Sequence, residues 1–96
     1  MKQVLVHGAG RSAPFLVHRL LDMAEASDWF VTVADLDRSA AEWLVAGHSR
    51  GAAIRFDVND AAMRDARISQ ADVVINMLAP AFQHLVAWDC LSHGTH

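Results

Sequence analysis

Strands and helices alternate along this chain, and the alternation predicts an α/β fold with a parallel sheet and helices on both faces. Two further observations narrow it. The apolar run Val4-Leu5-Val6 breaks at His7 into Gly8-Ala9-Gly10-Arg11-Ser12-Ala13, just where a helical pattern begins. A second apolar run ends in Asp35, about 20 residues beyond Ala13. Together they predict a doubly wound, Rossmann-type sheet of order 3-2-1-4 with right-handed crossovers.

The first strand is expected over residues 3–7. After it, Gly8 permits a tight turn and Gly10 lets a pyrophosphate approach the backbone. Ala13 is small where helix packs on strand. A helix is expected over 12–26, with Pro14 in its first turn, where no N–H is needed. Phe15, Leu16, Leu20 and Met23 fall at helical spacing as its apolar face. Its free N–H groups and positive dipole end would face the phosphates. Ser27-Asp28 ends it, and Trp29-Phe30-Val31-Thr32-Val33-Ala34, aromatic and β-branched, forms the second strand.

Asp37 or Ser39 caps a second helix over 38–46, and Gly47 and Gly51 frame the next turn. A third strand covers 52–56, and Asn59 or Asp60 caps a third helix reaching Ile68. Val73-Val74-Ile75-Asn76-Met77 is the fourth strand. Pro80 opens a last helix to about Ser92, with Phe82, Leu85, Val86 and Cys90 or Trp88 on its apolar faces. Gly94-Thr95-His96 reads as a turn into a further strand. Residues 1–96 are thus expected to be one dinucleotide-binding domain truncated before strand five, part of a longer enzyme with a separate substrate domain. Its fourth strand and last helix would lack their cover, which favours a homo-oligomer.

With 96 residues, the chain lies near the small end for one independent core, and 53% hydrophobic residues suit helices covering a sheet. A net charge of −3 and a pI of about 6.0 supply no electrostatic footprint for nucleic acid. No apolar run approaches the roughly 20 residues of a membrane span. The chain enters a strand at once, leaving no signal peptide, and Cys90 is its single cysteine, so a cytoplasmic protein is expected. His93 and His96 have no partner ligands at metal spacing.

Asp35 suits the adenosine ribose hydroxyls, or else is a plain helix cap. As a ribose ligand its charge would repel a 2′-phosphate, favouring NAD over NADP. Arg38, just beyond, would hold that phosphate or lie on a solvated helix face. Asp57-Val58 would flank an adenine, with Asp57 equally suited to cap the third helix. Met77-Leu78-Ala79-Pro80 would run under the cofactor or simply pack, and His84 would face the site or serve as an ordinary helical residue. No residue set for nucleophilic or paired-carboxylate catalysis stands out, so catalytic residues are expected outside the chain.

The stretches Gly8-Ala9-Gly10-Arg11-Ser12-Ala13-Pro14, Val31-Thr32-Val33-Ala34-Asp35, Phe56-Asp57-Val58 and Asp72-Val73-Val74-Ile75-Asn76-Met77-Leu78-Ala79-Pro80 occur in this order. Pro80-x-x-x-His84 and Leu85-Val86-Ala87-x-x-Cys90-x-x-x-Gly94 follow. Over essentially its whole length the chain resembles the N-terminal domain of the saccharopine dehydrogenase and reductase family. Pro14 departs from the pattern, standing one place earlier than in many relatives. The resemblance implies an NAD(P)-dependent oxidoreductase of lysine metabolism, acting on a secondary amine that joins an amino acid to a dicarboxylic acid. Related enzymes act on other amines, carboxynorspermidine formation among them.

The resemblance also implies that Gly8, Gly10, Arg11, Ser12 and Ala13 face the pyrophosphate and that Asp35 binds ribose. Asp57 and Val58 would then meet the adenine, and Leu78, Ala79 and Pro80 the nicotinamide half. A small amino-acid substrate would be held by the missing domain. A regulatory nucleotide-sensing module of a potassium-transport system shares the glycine turn and strand-two Asp. The Pro80-x-x-x-His84 stretch favours the enzyme.

Overall fold

The computed structural model describes residues 2–8, 13–57 and 59–76. Their elements follow the expected alternation: β1 (Lys2–His7), α1 (Ala13–Ser27), β2 (Trp29–Asp35), α2 (Arg38–Val45), β3 (Gly51–Arg55), α3 (Ala61–Gln70) and β4 (Val73–Asn76). The four strands form one sheet of order β3-β2-β1-β4, parallel throughout, as the sequence predicts. Val6 stands opposite Val33 on one side and Ile75 on the other, so β1 is the central reference for the register.

Each face of the sheet has its own apolar layer. Val4, Val6, Val31 and Val33 meet Val17, Leu21 and Ala24 of α1 and Ala41, Leu44 and Val45 of α2. On the other face Leu5, Ala34 and Phe56 meet Ile68 of α3. This is the two-sided burial that makes parallel strands continuous hydrophobic runs. Each fully buried valine or isoleucine contributes roughly 1.5–3 kcal/mol. Gly51 is closely surrounded, since a Cβ there would lie 2.8 Å from Val45 Cγ1.

The apolar face expected for α1 is corrected by one residue. Val17, Leu21 and Ala24 are buried, whereas Phe15 is 81% exposed and Met23 is also exposed. Leu16 and Leu20 are half-buried. Leu16, Leu20 and Met23 have the same 4-3 spacing as Val17, Leu21 and Ala24, so periodicity alone does not choose between them. The compact Val17 and Ala24 let the helix axis approach the valines of the sheet, which the bulkier Phe15 and Met23 would prevent.

Asp37 caps α2: its carboxylate accepts from Ser39 N–H at 3.0 Å and Ala40 N–H at 3.3 Å. At the other end Ala46 takes a left-handed conformation and its N–H donates to Glu42 O. Asp60, rather than Asn59, caps α3 by accepting from Met63 N–H at 3.0 Å. Asp37→Ala should cost about 1 kcal/mol, the usual loss for an N-cap carboxylate. The denaturant midpoint measures it, and an unchanged midpoint would show that water replaces the cap without loss.

Candidate functional site

In a parallel sheet all carboxyl ends fall on one rim, and here β1, β2 and β3 bring His7–Gly8, Asp35 and Phe56–Asp57 to it. His7 lies opposite Ala34 and Asn76, and Asp35 opposite Arg55. Gly8 is buried and takes a φ of 94°, and its N–H donates to Ala34 O at 2.8 Å. That backbone turns away from β1 in a region that side-chain-bearing residues avoid. Helix α1 then opens at Ala13, so its amino end sits at the same rim. Gly8 also marks a reversal of order, because the chain builds outward to β2 and β3 on one side of β1 and then crosses to β4. Ligands of doubly wound sheets bind at that position.

Asp35 is half-buried, and its Oδ1 accepts from Asp37 N–H at 2.9 Å. It is therefore not the helix cap, a role that Asp37 fills. Asp57 is likewise half-buried, accepts from Asn59 N–H at 2.9 Å, and leaves the capping of α3 to Asp60. Both carboxylates thus stiffen the turns that leave adjacent strands at the rim. Arg38 points along its own helix, with Nε 2.9 Å from Glu42 Oε1 and both side chains largely exposed. Gly10, Arg11, Ser12, Val58, Leu78, Ala79, Pro80 and His84 lie outside the described residues.

His7 was not singled out by the motif, yet it is the most unusual side chain at the rim. Its ring is fully buried, and neither nitrogen has a hydrogen-bond partner among the described residues. It meets Phe56 edge-on, with centroids 4.8 Å apart and planes at 69°. Burial, and secondarily the charge of Arg64, lowers its pKa from 6.5 to about 4. The signal lay in the alternation: His7 is two residues beyond Leu5, hence on the face of β1 that carries the Leu5, Phe56 and Ile68 layer.

An open cleft of about 120 Å³, lined by Gln3, Leu5, Thr32, Arg67 and Gln70, contains none of these rim residues. Among the described residues, no helix is long and apolar enough to cross a membrane.

Residues 4–96 match the family model described as the saccharopine dehydrogenase NADP binding domain. The chain belongs to this family. A Pyricularia oryzae relative, saccharopine dehydrogenase [NADP(+), L-glutamate-forming], is 33% identical over 95 residues, covering 99% of this chain and 20% of its own length. The Schizosaccharomyces pombe enzyme of the same description is 29% identical over 97 residues, covering 100% of this chain and 21% of its own. Apo saccharopine dehydrogenase (L-Glu forming) from Saccharomyces cerevisiae superposes with a TM-score of 0.85 at 28% identity, over 99% of this chain and 20% of that one. This saccharopine dehydrogenase family domain therefore spans about one-fifth of the length of the curated relatives it matches.

Proposed function

We propose that this chain binds a nicotinamide dinucleotide as the cofactor domain of a saccharopine-dehydrogenase-like oxidoreductase. The observation that carries the proposal is the buried Gly8 turn, at a φ of 94°, placed where strand order reverses. The rim fits the group. Gly8 turns the chain out of β1, the amino end of α1 stands at the same rim for a pyrophosphate, and Asp35 stands at the neighbouring strand end for a ribose. Gly10, Arg11, Ser12 and Ala13 would complete the phosphate cradle. Asp57 and Val58 would border the adenine, and Leu78, Ala79 and Pro80 the nicotinamide.

These residues bind and orient, while hydride transfer is the chemistry the cofactor supplies when bound. The amino-acid substrate, a secondary amine of lysine metabolism, would be held by a further domain of a longer cytoplasmic protein. Assembly as a homo-oligomer belongs to the same proposal. The family match supports the enzyme over a potassium-transport sensing module.

Two supports separate on the choice of cofactor. The family model and the names of the relatives both carry NADP, which favours the 2′-phosphorylated form. The carboxylate of Asp35 favours NAD, because it would meet a 2′-phosphate as a like charge. The proposed NAD preference rests on the charge of Asp35, against the NADP that the family and its relatives favour.

Gly8→Val tests dinucleotide binding. A β-branched residue at this φ is strongly disfavoured, so the turn that leads from β1 toward the phosphate site would be displaced. Titration of the intact protein with NADH and NADPH, followed by cofactor fluorescence, should show affinity falling at least about tenfold, while circular dichroism shows the fold retained. Unchanged affinity in a folded variant would remove the Gly8 turn from the site.

A further inference from the structure

His7 is a polar group in an apolar setting. Leu5, Ala34, Phe56 and Ile68 form the layer on its side of the sheet, and Phe56 touches the ring edge-on. The ring has 0% exposure, and both nitrogens are without a hydrogen-bond partner among the described residues. Leaving a buried donor or acceptor unpaired is costly, and native proteins keep few such groups. Leucine would fill this position at no polar cost. The imidazole instead sits on the last residue of β1, directly before the Gly8 turn, at the rim where ligands of this fold class bind.

We infer that His7 is a cofactor-binding residue whose imidazole makes its hydrogen bond only in the dinucleotide-bound state, to the bound cofactor directly or through one ordered water. The inference rests on the proposed dinucleotide function. Among the described residues the ring has no partner, and a bound dinucleotide supplies one. Sequence rules broken at a functional site with a cost in stability are an expected pattern. The lowered pKa keeps the ring neutral at physiological pH, so it presents one donor and one acceptor.

The test compares the wild-type intact protein with His7→Leu and His7→Asn. Leucine removes both polar atoms and keeps apolar bulk, whereas asparagine restores a donor and an acceptor close to the backbone. Thermal unfolding without ligand and fluorescence titration with NADH and NADPH are read on all three. His7→Leu should raise Tm by a few degrees and weaken the better-bound dinucleotide by about three- to tenfold, the worth of one neutral hydrogen bond. His7→Asn should recover most of that affinity.

Opposite signs in Tm and affinity are what a purely structural ring would not produce. A His7→Leu protein that binds within twofold of wild type overturns the inference, as does one that loses Tm and affinity together, or an asparagine variant that recovers nothing. Wild type that binds neither dinucleotide overturns the proposed function, and this inference with it.

Discussion

Acidification from pH 7 to pH 4 will lower the folding stability of this domain by about 3 kcal/mol through His7 alone. The imidazole titrates near 6.5 in the unfolded chain and near 4 in the folded one. Above pH 6.5 both states are neutral and the ring contributes no pH dependence. Between 6.5 and 4 the unfolded state binds a proton that the folded state refuses, so stability falls as pH falls. Most of the loss is in place by pH 4 and it levels off below that, and each unit of separation is worth about 1.4 kcal/mol. Two causes act in the same direction: the ring is removed from water, and the Arg64 guanidinium repels a second positive charge.

At lower pH Asp28 adds to the loss. Its hydrogen bond to Arg50, 2.9 Å long, holds its pKa below the usual carboxylate value, so the stability it contributes is present above that value and disappears on protonation. Denaturant titrations at pH 7.5, 5 and 4 on wild type and His7→Leu separate the terms. The variant should lose most of the slope between 6.5 and 4. Equal slopes in the two proteins would place the acid sensitivity elsewhere.

The fold was legible because its signals repeat at several levels. Apolar strands, a glycine turn and alternating helix patterns all demand the same parallel sheet, and strand order is the default of doubly wound folds. The α1 face was less legible. Leu16, Leu20 and Met23 and Val17, Leu21 and Ala24 share one spacing, and only the contact with β1 and β2 decides between them. The third strand begins at Gly51, one residue before the expected start, because Gly51 pairs with Val31 in the ladder. At the site, Asp35 and Gly8 were legible from their positions at strand ends. The roles of Asp37 and Asp60 as caps needed the geometry, since Asp35, Asp37, Asp57, Asn59 and Asp60 are all competent cap residues by type. His7 was overlooked because a polar residue at the end of a strand normally meets water, and its burial arises from Phe56 and α3, which are distant in sequence.

Asp35→Ala should change cofactor choice more than any other single substitution at the rim. In the proposed NAD complex its carboxylate accepts charge-assisted hydrogen bonds from ribose hydroxyls, each worth about 1.5–3 kcal/mol. Losing them should lower kcat/KM for NAD by about 10- to 100-fold in the intact enzyme. NADP should lose far less, because the same substitution removes a negative charge from beside its 2′-phosphate. Circular dichroism and the denaturant midpoint, read on the same variant, separate any cost to folding from the change in cofactor choice, since Asp35 also accepts a hydrogen bond from Asp37 N–H at 2.9 Å. Arg38 adds a second arm. Its exposed pair with Glu42 is of the i,i+4 kind, worth only about 0.3–0.5 kcal/mol, so turning toward a 2′-phosphate costs it little. Arg38→Ala should therefore leave NAD kinetics unchanged in wild type and cancel the gain of NADP relative to NAD in the Asp35→Ala background. Steady-state kinetics with both cofactors on the four proteins reads the outcome. If wild type prefers NADP and Asp35→Ala leaves the ratio unaltered, the carboxylate has a structural role and no part in cofactor choice, and the cofactor named for the fungal relatives is also the one this domain takes.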